Sequence, residues 1–155
     1  MRATGAVLLA LAGAAAAVAA ARGRYAVITV DGVSMLPAYH HGDRLVARRG
    51  AGRLAVGDVV VFEQPRLGPE GRAEWRGGSR WMVKRVAALP GDPMPLSCVP
   101  VNGADPVPAG LLAVLGDNRA ASADSRSFGL VPHVRVYGYR RAPRKSGEHA
   151  GELSS

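Results

Sequence analysis

Hydrophobic and polar positions divide the chain into two parts of different character. Residues 3–21 form an uncharged run in which eleven of the nineteen residues are alanine. In a helix, nineteen residues span about 28 Å, close to the ~30 Å apolar core of a bilayer. Arg2 precedes the run, and Arg22 and Arg24 follow it. The pattern predicts a single-pass transmembrane anchor over 1–24 or, as an alternative, a secretory signal peptide.

After residue 24 the pattern changes to short β-branched runs that are separated by turn residues, and no later stretch shows a helical apolar period. The turn residues include Gly57-Asp58 and Pro90-Gly91-Asp92. Six runs predict strands: YAVITV, RLVAR, VGDVVVFEQP, WMVKRVAAL, LLAVLGDN and VRVYGYR. The sequence therefore predicts a mainly β body.

The remaining segments carry weaker patterns. Residues 66–80 are polar and rich in glycine, which predicts an exposed loop between strands. Residues 93–110 are rich in proline and predict irregular structure. The domain organisation that we predict is an N-terminal anchor over 1–24, a β-rich domain over 25–140 and a disordered polar tail over 141–155.

Charge and composition narrow the choice of partners. The formal net charge is +8, from 20 basic and 12 acidic residues, and it favours an anionic partner such as phospholipid or nucleic acid. Phospholipid is the prediction, because no set of stacking aromatic residues accompanies the basic residues. The single cysteine, Cys98, excludes an intrachain disulfide. No metal or other cofactor is expected, because the tandem His40-His41 has no third ligand in the sequence.

Lys84 is the first residue with distinctive chemistry. The chain contains 18 arginines but only two lysines, Lys84 and Lys145, and Lys84 lies within an apolar strand. Arginine keeps its proton in proteins, whereas burial lowers the pKa of a lysine and lets it act as a general base. Lys84 is therefore suited to activating a hydroxyl. The alternative interpretation is a surface lysine with an exposed ammonium group.

Two further segments supply polar side chains. Ser34 lies in Gly32-Val33-Ser34-Met35-Leu36-Pro37, just after a predicted strand, where small neighbours leave a hydroxyl accessible. The segment GDNRAASADSRSFG, over 116–129, has the residue types of a tight turn. Within it, Asp124 and Arg126 are spaced so that an ion pair can form. Taken singly, each segment is also compatible with an ordinary solvated loop.

Together these segments resemble the bacterial type I signal peptidases, in a compact form. VDGVSMLPAYHHGDRLV resembles the nucleophile box of that family, and VGDVVVFEQP resembles the strand box that follows it. VKRVAALPGD resembles the lysine box, and GDNRAASADSRSFGLVP resembles the last box. The four boxes occur in the family's order and cover most of residues 28–132. The resemblance implies a mainly antiparallel, coiled β-sheet body of the signal-peptidase and LexA-like type.

The resemblance also implies roles for individual residues. It implies that Ser34 is the nucleophile, that Lys84 is the general base and that the backbone N–H of Ser34 belongs to the oxyanion hole. The supporting positions that it implies are Gly32, Met35, Pro37, Ser122, Asp124 and Arg126. Ser122 matches the serine that orients the lysine in the family, and Asp124 and Arg126 match a structural pair.

Several positions depart from the family's pattern. Gly32 stands where some members carry a serine whose hydroxyl is a second oxyanion donor. Ala38 replaces a threonine, and Ala88 replaces a common glycine. The second oxyanion donor is therefore left open, while the pair of Ser34 and Lys84 is intact.

The resemblance implies a membrane-bound endopeptidase that removes N-terminal signal peptides from exported preproteins after small residues. The catalytic domain is then expected outside the cytoplasm. Three alternatives remain open. They are a protease dedicated to one precursor, such as the relatives that trim the propeptide of nickel superoxide dismutase, an inactive basic module that binds lipid, and a self-cleaving repressor of the LexA type. The last lacks support, because an apolar run rather than a DNA-binding helix pair precedes Ser34.

Overall fold

The computed structural model describes residues 2–68, 73–75, 80–99, 103 and 105–142. The regular elements, in chain order, are α1 (Arg2–Arg24), β1 (Tyr25–Thr29), β2 (Arg44–Arg49), β3 (Val59–Glu63), β4 (Arg66–Leu67), β5 (Ala73–Glu74), β6 (Trp81–Ala88), β7 (Leu111–Leu115), β8 (Val131–Pro132) and β9 (Val136–Arg140). Two short 3₁₀ helices cover Arg119–Ala121 and His133–Arg135. The mainly β prediction is confirmed.

Seven strands form one antiparallel sheet in the order β1-β2-β9-β3-β6-β7-β8. The strand β3 lies between β9 and β6 and contributes four consecutive buried residues, Val59 to Phe62. A run of β-branched and aromatic residues suits such a position, because both faces of the strand are covered. In β2, by contrast, buried and exposed residues alternate at first, as expected where one face meets solvent.

All six predicted strands are present, and the turn at Gly57-Asp58 precedes β3 as expected. The loop prediction for 66–80 is wrong in part, because β4 and β5 pair there as a small separate sheet. Two residues per strand are too few to produce an alternating pattern that a sequence reveals. The tail prediction falls almost entirely on residues 143–155, which lie outside the described residues.

The N-terminal run is helical, but the prediction of a transmembrane helix needs correction. Within the described part of the chain, no helix combines the length and apolarity that crossing a membrane requires. Composition gives the physical reason, since most of the run is alanine, whose single methyl group contributes little transfer free energy. The side chains that are described along α1 are exposed.

Among the residues that the structure describes, three hydrophobic clusters hold the sheet together and fix its connecting loops. The largest contains Phe62, whose ring packs against Phe128 with centroids 6.3 Å apart. A second cluster contains Met35 and Leu45. Met35 is 1% exposed and follows Ser34 directly, so its burial holds the loop between β1 and β2 against the sheet. Because the second cluster also contains Val83 of β6, it packs the loop that carries Ser34 against the middle of β6.

Candidate active site

Ser34 and Lys84, fifty positions apart in the chain, meet at the surface of the sheet. The Nζ atom of Lys84 lies 2.7 Å from the Oγ atom of Ser34, a hydrogen-bonding distance. An ammonium at this distance donates to the hydroxyl oxygen, and a neutral amine accepts the hydroxyl proton. The second arrangement is the one that a general base requires.

Burial is the main influence on Lys84, whose residue is only 3% exposed. Loss of hydration disfavours the ammonium and lowers the pKa of Lys84 below its ordinary value of 10.5. The negative charges of Asp124 and Asp117 oppose this effect without cancelling it. Each of these carboxylates is itself bound to an arginine, Asp124 to Arg126 and Asp117 to Arg85. At a given pH, a larger fraction of Lys84 is therefore the neutral amine than of an exposed lysine.

The loop that carries Ser34 is held in place by the segment after β7. The backbone N–H of Asn118 donates to the carbonyl oxygen of Ser34 at 2.9 Å. The side-chain amide of Asn118 donates to the carbonyl oxygen of Val33 at 3.1 Å. The sequence predicts a turn at Gly116-Asp117-Asn118 but indicates no role for Asn118 in positioning Ser34.

Gly116 allows these two segments to approach closely. A Cβ atom at this position would lie 2.1 Å from the Oγ atom of Ser122 and 2.7 Å from the carbonyl oxygen of Ser34. Only glycine fits such a contact without moving the loop that carries Ser34. No local sequence pattern predicts this requirement, because it depends on how two segments that are distant in the chain pack together.

Asp124 is the centre of a buried polar network beside the two candidate catalytic groups. Its carboxylate accepts two hydrogen bonds from the Arg126 guanidinium, at 2.8 and 2.6 Å, and others from Ser122 Oγ and the Gly116 N–H. Burial raises the pKa of Asp124, but these hydrogen bonds outweigh burial and lower it to about 2. A carboxylate with this many donors stays ionised across the range in which proteins are usually active.

Ser122 binds a different partner from the one that the resemblance implied. Its hydroxyl donates to Asp124 Oδ2 at 2.7 Å, whereas the hydrogen bond of Lys84 within the described chain goes to Ser34. A hydroxyl has one proton, and a carboxylate is a stronger acceptor for it than an amine that also has Ser34 as a partner. Ser122 therefore influences Lys84 only indirectly: its hydroxyl binds the Asp124 carboxylate, and the negative charge of Asp124 acts on the Lys84 ammonium.

Gly32 and Pro37 are the remaining supporting residues that the resemblance predicted for the site. Gly32 has φ +90°, in the left-handed region, and no atom lies within 4 Å of a Cβ built there. Its N–H donates to Nδ1 of His41 at 3.3 Å. Position 32 therefore supplies no side-chain donor to an oxyanion. Pro37 is exposed, whereas Met35, two residues earlier, is buried.

An open groove of about 1220 Å³ leads to the pair. Its walls are β1, the first half of β6 and part of the loop that carries Ser34. Near Ser34 the lining includes Ile28, Met35 and Val83, so this part of the groove is apolar. No group of three or more metal-ligating side chains occurs in the described ranges.

Comparison with known proteins identifies the family. The family model described as signal peptidase, peptidase S26, matches residues 2–97 and 94–143. The chain belongs to this family. Membership makes it a serine peptidase of the signal peptidase I type, and the hydroxyl next to a buried amine is the chemistry that such a peptidase needs.

Individual relatives support the assignment. The chain is 35% identical over 125 residues to the mitochondrial ATP-independent inner membrane protease subunit 1a of Arabidopsis thaliana, covering 74% of this chain and 68% of the relative. It is 33% identical over 132 residues to the probable signal peptidase I-1 of Synechocystis sp., covering 68% and 64%. It is 27% identical over 145 residues to signal peptidase I V of Bacillus subtilis, covering 70% and 79%. The chain spans about two thirds of the length of the first two.

Proposed function

We propose that this S26 peptidase removes N-terminal signal peptides from exported preproteins, with Ser34 as nucleophile and Lys84 as general base. The observation that carries the proposal is the 2.7 Å contact between Lys84 Nζ and Ser34 Oγ, made by a buried lysine with a lowered pKa. Membership of the family supports the same assignment. Preproteins are the proposed partners, and no cofactor enters the reaction.

The proposed reaction proceeds through an acyl-enzyme. Neutral Lys84 takes the hydroxyl proton of Ser34 while the oxygen attacks the scissile carbonyl carbon, and the backbone N–H of Ser34 donates to the oxyanion. The resulting ammonium returns the proton to the leaving amine as the peptide bond breaks. Lys84 then takes a proton from a water molecule as its oxygen attacks the ester carbon, and it gives this proton to the Ser34 oxygen when the ester bond breaks, which restores neutral Lys84 and the Ser34 hydroxyl.

The groove supports recognition of an extended substrate. The strand β1 is at the edge of the sheet and pairs only with β2 among the described elements. An extended peptide can therefore form backbone hydrogen bonds with the side of β1 that faces away from β2. Close to the dyad, buried side chains such as Met35 and Val83 form the floor. An apolar floor is compatible with small apolar residues such as alanine at the first and third positions before the scissile bond, the preference that the resemblance to signal peptidases implies.

A membrane setting is also part of the proposal. The relatives include proteins named as inner membrane proteases, and the precursor carries an apolar segment of its own. Extended chain between residues 21 and 34 reaches at most about 45 Å, which keeps Ser34 near the N-terminal helix. We propose contact of the basic chain with phospholipid and an extracytoplasmic catalytic domain formed by residues 25–140.

The test is cleavage of purified preproteins by the full-length chain in mixed detergent and lipid micelles. We expect cleavage after the second alanine of an Ala-x-Ala site, located by N-terminal sequencing. Replacing that alanine with phenylalanine should reduce the rate at least about 100-fold, because the proposed specificity requires a small side chain at the residue before the scissile bond. Ser34→Ala protein is the inactive reference.

The range of precursors cleaved decides between the two protease hypotheses. Cleavage of several unrelated preproteins supports the general role that we propose. Cleavage of only one precursor in a panel supports the alternative of a dedicated maturation protease. If wild-type protein cleaves none of them, signal-peptide removal is the wrong function for this site.

A further inference from the structure

The end of the groove away from the dyad is built from aromatic side chains and one arginine. We call Tyr25, Arg49, Trp81 and Tyr137 the aromatic end, and all four line the groove. The rings of Trp81 and Tyr137 lie 4.6 Å apart between centroids, inclined at 38°. Trp81 is 47% exposed and Tyr25 is 48% exposed, so large apolar surfaces remain open to a ligand.

Arg49 holds this end of the groove in a fixed arrangement. Its guanidinium lies 5.3 Å from the centroid of the Tyr137 ring and donates to the Tyr137 hydroxyl. Its Nε donates to the backbone oxygen of Tyr25 at 3.3 Å. Arg49 thus links β1, β2 and β9 and places a positive charge over the ring of Tyr137, which itself packs against Trp81.

The spacing along the strands relates this end to the scissile bond. Trp81 lies three residues before Lys84 on β6, so their Cα atoms are about 10 Å apart, and its side chain is on the same face of the strand as Val83, which also lines the groove. In an extended substrate, residues one, three and five before the scissile bond face the same side, and the fifth lies about 13 Å from the first. When the first residue is at Ser34, the fifth therefore reaches Trp81.

The direction of the substrate follows from where the groove ends. Tyr25 directly follows α1, and Arg22 near the end of α1 also lines the groove. The apolar segment of a signal peptide precedes its cleavage site, and we assign the proposed phospholipid contact to the basic end of α1, at Arg22 and Arg24. The residues before the scissile bond are therefore the ones that run toward the aromatic end.

We propose that the aromatic end is a specificity subsite for a large apolar side chain at the fifth residue before the scissile bond. This inference rests on the proposed function. Stacking on Trp81 removes apolar surface of both partners from water, which strengthens binding. The charge of Arg49 disfavours lysine or arginine at the same substrate position. Recognition by this protein then extends beyond the two small residues next to the scissile bond.

The experiment pairs a substrate change with an enzyme change in the full-length protein. Two fluorescein-labelled peptides share an Ala-x-Ala site and carry either leucine or alanine at the fifth position before the bond. We measure kcat/KM for wild-type protein, Trp81→Ala and the control Leu96→Ala, which shortens a side chain that is 90% exposed and does not line the groove. The affinity of each peptide is measured by anisotropy in a Ser34→Ala background, with and without Trp81→Ala.

We expect leucine to give about tenfold higher kcat/KM than alanine with wild-type and Leu96→Ala proteins, and less than twofold with Trp81→Ala. The affinities should show the same pattern. If the peptides are cleaved but the leucine preference is absent or survives in Trp81→Ala, the subsite is overturned and the proposed function stands. If wild-type protein cleaves neither peptide while the affinities retain the Trp81-dependent preference, the proposed function fails and the subsite stands. If there is neither cleavage nor preferential binding, both are overturned.

Discussion

Lys84→Arg should lower kcat/KM for preprotein cleavage by about 10⁴-fold or more, although the positive charge is retained. Arginine keeps its proton at any pH at which the protein is folded, so it cannot accept the proton of Ser34. Lys84→Met should lose as much activity, since it also removes the base. Lys145→Met, which changes the only other lysine, is the matched control and should retain full activity.

Stability separates loss of the base from loss of the fold in these variants. Burial lowers the pKa of Lys84, so folding disfavours its ammonium form. Between the lowered pKa and 10.5 the unfolded chain binds more protons than the folded chain, and wild-type stability rises with pH. Lys84→Met lacks this dependence and should have an equal or higher Tm at pH 7. If Lys84→Arg remains folded and retains more than a tenth of wild-type activity, Lys84 is not the base.

Asp124→Asn should destabilise the fold by about 3–5 kcal/mol, the cost of breaking a buried ion pair by removing one partner. Asp124 is fully buried, and the substitution removes the carboxylate charge that pairs with the Arg126 guanidinium. In a domain of this size, we expect Tm to fall by about 10–20 °C. Asp31→Asn, at a side chain that is 94% exposed, is the control and should change stability by less than about 0.5 kcal/mol.

The pH dependence of this effect has a definite sign. The pKa of Asp124 is about 2 in the folded protein, against an ordinary value of 3.8. Ionisation of Asp124 thus contributes about 2 kcal/mol above pH 3.8, and this contribution is lost as the pH falls toward 2. Urea unfolding between pH 2 and 7 should show the difference between wild type and Asp124→Asn narrowing at low pH. A difference that stays constant over this range would show that the charge of Asp124 does not stabilise the fold.

The strands were the most predictable part of the fold. Runs such as YAVITV and VVVF predict strands from their composition alone, because β-branched residues suit a pleated and partly buried backbone. The hairpin of β4 and β5 and the short β8 have two residues per strand, so no period is visible in them. The order of strands was not predictable either, because β9, last in sequence, lies between β2 and β3.

In the N-terminal segment, length and absence of charge are insufficient to predict a membrane span. The absence of charge over 3–21 correctly predicted a helix, since alanine has the highest helix propensity. The same alanines provide little apolar surface, and the inference of a membrane span from length alone did not account for this. Helix propensity and membrane transfer are separate properties of one residue type.

At the site, the sequence identified the groups that carry chemistry but not those that position them. The rarity of lysine and the resemblance to signal peptidases pointed to Ser34 and Lys84, which the fold brings together. The roles of Asn118 and Gly116 depend on a contact between two loops more than eighty residues apart, which no local pattern records. The resemblance likewise did not anticipate that the hydroxyl of Ser122 donates to Asp124.

The most direct test of the central claim is the titration of Lys84 in the folded protein. With ¹³C at the Cε position of lysine, NMR should show two resonances, since the chain has two lysines, and Lys84→Met identifies the one from Lys84. We expect Lys84 to titrate clearly below 10.5, and kcat/KM to rise with pH along the same curve as the neutral amine forms. A Lys84 resonance that titrates at or above 10.5, or activity that does not follow it, would contradict a Ser34–Lys84 mechanism.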